Sequence, residues 1–444
     1  MNDRAHPELS PPRLSSALAH TGLARFAAMR LARTDAQSDA QNDGEDLALL
    51  LGLEQDDWLS ACKTLATLAP GLPGPIGRLL RDFRLQLHEW FVLALVGEVE
   101  ASPRLALEVA ALQAPERNPR PGLALIGELC AALFGIPLTP LQLKQHVLVR
   151  AGILNLEGDA PLSLRALAMS PALWAVFCGD RTPWPEHRPL DPGQAEQLPQ
   201  SLREQFPRLE DLLRNGQAQT VAFRGGARGA SLAAAQLAGR LGLRAVEMSL
   251  EQWQTDPALS AACRYAGWLP VLLPRLGAGE QLSLHAAAPL PTPLVLVLGR
   301  EGAVDSPALV EVEIPRLTLV ERRQVWQATL GDTMPPDGAD HALLDGPAIV
   351  SLSERARLDA GRLNQPLDSS HLARARGQLG AEQLRLLAQP VTQRVEADAL
   401  ILPPAVQTQF DDLVTRCRRR EQLWDSLGIT LRATLNPGVR ALFV

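Results

Sequence analysis

The stretch TVAFRGGARGASLAAAQLAGRLGLRAVEMSL, residues 220–250, carries in order the signals of a strand, a glycine-rich turn, a helix and a second strand. A short apolar run, Thr220 to Phe223, enters the turn, and a second apolar run, Leu243 to Leu250, follows the alanine- and leucine-rich helix. In a unit of this kind the backbone N–H groups at the start of the helix form a cradle for an anion. The stretch therefore predicts the entry unit of a phosphate-binding α/β domain.

The turn lacks the lysine of an intact phosphate-binding loop. Such a loop ends in Gly-Lys-Ser or Gly-Lys-Thr, where the lysine neutralises the β- and γ-phosphates and the hydroxyl holds Mg²⁺. Here Gly229-Ala230-Ser231 keeps the glycine and the hydroxyl but has alanine at the lysine position. The two lysines of the chain, Lys63 and Lys144, are not near a glycine loop. The sequence therefore excludes an intact loop of this class.

Two hypotheses remain for this degenerate loop. In the first, it still binds a nucleotide phosphate, with Arg224 or Arg228 replacing the lysine, because arginine can pair with phosphate through two hydrogen bonds. In the second, which we favour, it is a tight turn that only joins a strand to a helix. The candidate ligand residues under the first hypothesis are Gly225, Gly226, Arg228, Gly229 and Ser231.

Composition limits the remaining function classes. The chain has 444 residues, a formal net charge of −6 and a pI of about 5.8, so it has several domains and no overall basic field for nucleic acid. Its five cysteines are far apart and in apolar surroundings, which is typical of reduced core residues. No metal-ligand spacing and no apolar signal or membrane segment is present, so we predict a cytoplasmic protein without a metal site.

The N-terminal part divides into two predicted regions. Residues 1–45 are polar and proline-rich, and we predict a disordered arm. Residues 46–179 have apolar residues at helical spacing, with a helix that starts at the cap Thr139 and stops at Gly152. Two short strands, 153–156 and 162–164, are predicted after it. Helices followed by a small hairpin indicate a winged-helix domain.

A winged helix can place its last helix in the major groove of DNA. Here that helix offers Lys144, His146 and Arg150 beside much apolar surface. Because DNA binding calls for a broader basic face, we favour a protein-binding role for this domain and do not expect nucleic acid as a partner.

The C-terminal part contains a predicted linker and an α/β module. Residues 180–205 carry frequent prolines and are predicted to be a semi-rigid linker. In residues 206–392 strands alternate with helices, which predicts a parallel, doubly wound sheet followed by a small helical lid. Residues 393–444 are predicted to hold a second linker, a helix and a strand.

The order of these segments resembles an AAA-type ATPase. The resemblance is carried by the strand, glycine loop and helix, three further strands, then IPRLTLVERRQVWQATL and a lid containing LSERARLDAGRLNQ. The segment FVLALVGEVEASPRLALEVAALQ looks like the winged-helix region before the AAA modules of ATPases of phage-tail-like contractile injection systems. Residues 393–444 resemble the start of a second AAA module, whose strand in that family leads directly into an active Walker A loop.

The chain departs from the family at the nucleotide-handling positions. Besides the missing lysine, the acidic pair of the Walker B motif should follow the strand that ends at Leu272-Leu273, where Pro274 and Arg275 stand instead. The polar residue expected after the next strand is replaced by Gly299-Arg300. The resemblance therefore implies a degenerate module kept for structure, without catalytic residues.

The family resemblance implies a specific role and leaves one alternative. It implies an AAA-type protein that assembles or remodels a contractile injection system as a ring oligomer, a hexamer in this family. ATP and Mg²⁺ are implied for the full-length family member, whereas we expect no hydrolysis by this chain alone. Protein clients would bind the winged helix. The alternative is a winged-helix DNA-binding regulator with a ligand-sensing α/β domain.

A few other conspicuous side chains have simpler interpretations. Arg322 and Arg323 lie on the helix after the last strand, where they could face a neighbouring subunit. The cluster Arg416, Arg418, Arg419 and Arg420 is predicted to be a solvated helix face. Tryptophans at helical spacing are predicted to be core residues. They are Trp58, Trp90, Trp174 and Trp326.

Overall fold

The computed structural model describes residues 74–113, 115–284, 290, 292–306, 308–333, 344–378 and 401–426. In these residues the chain is a mixed α/β protein with one six-stranded, mostly parallel sheet. The predicted disordered arm, residues 1–45, lies outside the described residues. So do residues 427–444, which include the strand predicted to begin a second module.

The regular elements are numbered here in chain order. The helices are α1 (Gly74–Phe83), α2 (Leu87–Ala101), α3 (Pro103–Leu112), α4 (Leu123–Phe134), α5 (Pro140–Lys144), α6 (Val147–Arg150), α7 (Pro171–Phe177), α8 (Gln200–Arg203), α9 (Phe206–Arg214), α10 (Ala227–Arg240), α11 (Leu250–Thr255), α12 (Ala258–Ala266), α13 (Leu319–Leu330), α14 (Gly346–Leu363), α15 (Ser369–Gln378) and α16 (Pro404–Ser426). The strands are β1 (Asn155–Glu157), β2 (Ala166–Ala168), β3 (Arg188–Pro189), β4 (Thr220–Arg224), β5 (Arg244–Met248), β6 (Trp268–Leu272), β7 (Gln281–Ser283), β8 (Leu294–Leu298), β9 (Ala303–Asp305) and β10 (Leu309–Glu313).

The main sheet has the strand order β10-β4-β8-β6-β5-β3. Strands β10, β4, β8, β6 and β5 are parallel to their neighbours, and Val221 of β4, for example, pairs with Val310 and Val295. Parallel strands covered on both faces are apolar throughout, as the interior strands β6 and β8 are. The predicted parallel sheet is confirmed, and β4, which leads into the glycine loop, is an interior strand.

Two layers of helices cover the sheet. Val221 and Phe223 belong to a core that includes residues of α9 and α10 on one face. Ala222 belongs to the core on the other face, which includes α12 and the helices α1 to α7. Strand alternation produces this division because successive side chains point to opposite faces. The N-terminal helical region and the sheet therefore share one hydrophobic core.

Polar contacts add to this shared core. Asp82 Oδ2 on α1 accepts a hydrogen bond from Arg264 Nη2 at 2.9 Å and from the Tyr265 hydroxyl at 3.1 Å, both on α12. The Tyr265 ring lies 5.5 Å, centroid to centroid, from the ring of Phe177 on α7. The helical region is thus attached to the α/β module through α12.

The segment 180–205, predicted to be a linker, is part of the α/β module. Its strand β3 pairs antiparallel with β5, with Arg188 opposite Glu247. The carbonyl of Arg181 accepts a hydrogen bond from Trp268 Nε1 at 3.1 Å, and Trp184 packs edge-on against the same indole. The prolines that indicated a spacer are also tolerated in an edge strand, because such a strand leaves N–H groups unpaired.

The predicted helix from Thr139 to Gly152 is divided into α5 and α6. The N-cap is confirmed, since Thr139 Oγ1 accepts from the Gln142 N–H at 3.3 Å. The helix stops because His146 takes an extended conformation and its Nδ1 accepts from the Leu148 N–H at 3.3 Å, which caps α6. A side chain that bonds the local backbone competes in this way with helix continuation.

The predicted hairpin is present, but its second strand is misplaced. Strand β1 pairs antiparallel with β2, with Leu156 opposite Leu167. Residues 162–164, predicted to be this second strand, form a 3₁₀ helix that follows Pro161, and the strand begins at Ala166. Proline favours the start of such a turn because its ring fixes the φ angle near −65°.

The predicted helical lid is confirmed over residues 346–378. Helices α13, α14 and α15 surround a core in which Trp326, Ile349 and Leu372 are buried. The lid is predicted over about residues 341–388, and its residues 341–343 and 379–388 lie outside the described residues. Helix α16 agrees with the helix predicted between residues 393 and 444. In the described part of the chain, no helix combines the length and apolar character needed to cross a membrane.

Candidate functional site

The glycine loop joins β4 to α10 as the sequence predicts. Gly226 is the N-cap of α10 and provides no side chain to cap it. The Gly225 N–H donates to the Leu298 carbonyl of β8 at 3.1 Å, and the Ala230 N–H donates to Gly226 at 2.9 Å. The first N–H groups of a helix have no partner within it and carry partial positive charge. The loop therefore has the local form of an anion cradle.

The loop also lies where open α/β sheets bind ligands. In the strand order, the connection that leaves β4 leads to β5 on one side, whereas the connection that leaves its neighbour β8 leads to β10 on the other. Ligand crevices form at such reversals, outside the carboxyl ends of the strands. Fold geometry alone thus marks this edge as the candidate site.

Arg224, one of the two proposed replacements for the lysine, is bound to the sheet. Its Nε and Nη2 donate to the two carboxylate oxygens of Glu311 on β10, at 3.0 and 2.8 Å. Hydrogen bonding to Arg224 lowers the pKa of Glu311, and the same pairing raises the pKa of Arg224. The hypothesis that Arg224 replaces the lysine is therefore wrong in this conformation. Arg228, on the first turn of α10, is exposed.

Arginines stand at neighbouring strand ends where a magnesium site would need acids. Strand β8 lies between β4 and β6, so the segments after these strands meet at one edge. Arg275 follows β6 and Arg300 follows β8, and both are exposed. Mg²⁺ prefers oxygen ligands. Among the described residues, no group of three His, Cys, Asp or Glu side chains is placed to hold a metal ion.

The main element of the site that the sequence did not reveal is Asp345. It is the N-cap of lid helix α14, and its Oδ1 accepts from the Ala348 N–H at 2.8 Å. Its Oδ2 lies against the glycine loop, since an added Cβ at Gly226 would be 2.9 Å from it and one at Gly229 would be 3.5 Å from it. The run Asp345-Gly346-Pro347 signals a helix start. The contact of Asp345 with the loop joins elements that are distant in the chain, so no local sequence pattern predicts it.

The lid is attached to the segment before α8 as well. The Gln200 N–H donates to Glu321 Oε1 at 2.7 Å, and Glu321 also caps α13 with Thr318. Gly346 lies directly on Gln197, whose carbonyl oxygen would be 2.0 Å from an added Cβ. Helix α13 and the first lid helix, α14, therefore both contact the segment that contains Gln197 and Gln200.

One of the three residues considered for DNA contact, His146, is paired within the protein. His146 Nε2 and Glu89 Oε1 are 2.8 Å apart, and both side chains are mostly buried. Burial opposes ionisation of Glu89, but hydrogen bonds from His146 and from the Gln86 N–H outweigh it and lower its pKa. Lys144 and Arg150 remain exposed. The candidate reader His146 is thus turned toward α2.

The remaining conspicuous residues have structural roles or lie outside the description. Trp90, Trp174 and Trp326 are buried, which confirms the prediction of core positions, whereas Trp58 lies outside the described residues. Arg322 is also buried and donates to the Leu317 carbonyl at 2.8 Å, so the idea that it faces a neighbouring subunit is wrong. Exposed positions are Arg323 and Arg416, while the side chains of Arg418, Arg419 and Arg420 are outside the description.

Three of the cysteines are free thiols, as predicted. Cys130 and Cys263 are buried and Cys178 is half-buried. Burial raises the pKa of Cys130 to about 12 and that of Cys178 to about 11. Because the thiolate is the reactive form, these residues are poor nucleophiles.

Comparison with known proteins identifies no relative: no protein-family model matches the chain, and no curated protein matches it.

Proposed function

We propose that this chain is a cytoplasmic AAA-type scaffold of a contractile injection system, in which the α/β module packs in a ring without hydrolysing ATP and the winged-helix region binds a protein client. The observation that carries the proposal is the glycine loop on an interior strand of a parallel sheet, contacted by a helical lid and surrounded by arginines at the strand ends. This arrangement supports a module of the nucleotide-binding kind, and among the described residues no group of three carboxylates is placed to hold Mg²⁺.

The attachment of the helical region supports a scaffold role. Asp82 on α1 binds Arg264 and Tyr265 on α12, and the two regions share a core. A client bound to the helical region would therefore be held in a fixed position relative to the sheet. An ATP-driven motion of this region would have to break that core.

The test is steady-state phosphate release by the purified full chain with Mg²⁺ and ATP, together with its mass in solution by light scattering. We expect phosphate release at the background rate and an oligomer larger than a dimer. Hydrolysis above background that Ser231→Ala abolishes would overturn the non-hydrolysing scaffold, and a monomer at micromolar concentration would overturn the ring. Arg208→Ala is a control for the hydrolysis assay, because Arg208 is an exposed residue of α9 outside the loop.

A further inference from the structure

A carboxylate of the chain itself lies against the glycine loop. Asp345 caps α14 with Oδ1, and its Oδ2 faces Gly226 and Gly229 in the first turn of α10. The carboxylate thus lies beside the N-termini of two helices, each of which favours negative charge. A phosphate that approached the N–H groups of this loop would meet the negative charge of Asp345.

We infer that Asp345 is a built-in anion that holds the lid against the glycine loop and repels external phosphate from it. The inference rests on the proposed function, since it explains how a lid over a degenerate loop stays in place without nucleotide. The inference concerns the contact between residues 225–231 and residues 344–363. If this contact proved unimportant, the proposed scaffold role would still stand, because that role does not depend on Asp345.

Glycine at two loop positions permits the contact. A Cβ at Gly226 would lie 2.9 Å from Asp345 Oδ2, which is closer than such atoms approach, and a Cβ at Gly229 would lie at van der Waals distance. Neither glycine has a positive φ angle, so the backbone of these two positions does not require glycine. The absence of a side chain at Gly226 is therefore what leaves room for the carboxylate of Asp345.

Two further contacts hold the lid in the same position. Gly346 is seated on the backbone of Gln197, and Glu321 accepts from the Gln200 N–H. With Asp345, these contacts attach the starts of α13 and α14 to the loop and to residues 195–200. An entering phosphate would meet the negative charge of Asp345 and would have to displace it. It would also find Arg224 already paired with Glu311.

The experiment compares the full chain with Asp345→Asn, with Glu354→Gln as the matched control because Glu354 is an exposed acid on the same helix. Hydrogen exchange measured by mass spectrometry reports opening of residues 225–231 and 344–363. Titration with inorganic phosphate, without Mg²⁺ and at low salt, reports access to the loop.

We expect faster exchange in both segments of Asp345→Asn and phosphate affinity raised by about tenfold or more, because a nearby like charge has been removed. Glu354→Gln should match the unaltered chain. Unchanged exchange in residues 225–231, or unchanged phosphate affinity, would overturn the inference and leave Asp345 as a helix cap. ATP hydrolysis by the unaltered chain would instead overturn the proposed function.

A second variant covers the case in which Asp345→Asn does not fold. Gly226→Ala keeps the carboxylate but places a Cβ against Oδ2. It should speed exchange in residues 344–363, whereas Gly239→Ala, at a glycine of α10 with open space around it, should not. Equal exchange in the two glycine variants would also overturn the inference.

Discussion

The glycine loop and the helix pair α5–α6 are two regions where the sequence suggests an external ligand, a phosphate in one and DNA in the other. At the loop, Arg224 binds Glu311 and the carboxylate of Asp345 faces Gly226. At the helix pair, His146 binds Glu89. In both regions, side chains of the type that would bind a ligand contact other parts of the chain.

The two regions differ in how the internal contact is made. Asp345 approaches the loop from a separate element, the lid, and the contact depends on glycines that leave room for it. His146 lies within its own helical region, and its bond to Glu89 joins α2 to the start of α6. The loop contact is therefore one that can open with the lid, whereas the histidine contact is part of a packed core. Five predictions test this difference, from the largest expected effect to the smallest.

The largest effect is expected for Gly346→Ala at the start of the lid. Its Cβ would be 2.0 Å from the Gln197 carbonyl oxygen, a backbone atom that has no side-chain rotamer with which to move away. Overpacking of this kind costs about 3 kcal/mol, and it should appear in denaturant unfolding as a loss of lid stability. Gly361→Ala, in the same helix with open space, is the control and should be neutral or stabilise by up to about 1 kcal/mol. Similar free energies of unfolding for the two variants would contradict a lid held in place by the contact between Gly346 and Gln197.

The second effect is expected for Glu89→Ala. The change removes the acceptor for His146 and for the Gln86 N–H at the start of α2. Loss of a cap and of a partly buried hydrogen bond costs about 2 kcal/mol of unfolding free energy. Glu108→Ala, which removes only the exposed pair with Arg104, should cost about 0.5 kcal/mol or less. Equal losses in chemical unfolding would show that Glu89 is no more than a surface acid.

The pH dependence of the Glu89 contribution follows from its lowered pKa. Because the folded-state pKa lies below the ordinary value of 4.5, the unfolded chain binds more protons in this range. The contribution is therefore complete above pH 4.5 and is lost as the pH falls through the folded-state pKa. Unfolding curves between pH 7 and pH 3 should converge for the unaltered chain and Glu89→Gln; a constant difference would contradict this assignment.

A smaller effect is expected for Glu311→Gln at the edge of the sheet. The pair with Arg224 is partly exposed, with side-chain exposures of 18% for Arg224 and 42% for Glu311, so its loss should cost about 1 kcal/mol or less. The change frees the guanidinium beside the glycine loop. If Asp345 still covers the loop, phosphate affinity should stay at the level of the unaltered chain. If phosphate affinity rose as much as it does in Asp345→Asn, Glu311 and not Asp345 would be the group that excludes phosphate from the loop.

The smallest effect is expected for DNA binding. Lys144→Ala with Arg150→Ala removes the exposed basic residues of α5 and α6. Because their basic face is thin, we expect no salt-dependent binding of duplex DNA by the unaltered chain, and hence no change in the variant. A mobility shift at low salt that the double substitution removes would favour the DNA-binding regulator instead.

Local signals in the sequence predicted much of the fold. Apolar runs bounded by glycine and proline predicted β4, β6, β8 and β10, and the cap Thr139 marked the start of α5. These signals depend on residues within a few positions of each other. The prolines of residues 180–205 led to the wrong prediction of a linker, because proline is tolerated in an edge strand as well as in a spacer.

The sequence by itself determined which chemistry is missing: there is no lysine at position 230, Arg275 stands where the resemblance implies an acid, and Arg300 stands where it implies a polar residue. Only the tertiary structure decided what is present instead. Glu311 reaches Arg224, Glu89 reaches His146, and Asp345 reaches Gly226 from elements distant in the chain. Partner choice of this kind depends on how the sheet, the helical region and the lid pack together, and no local pattern specifies that packing.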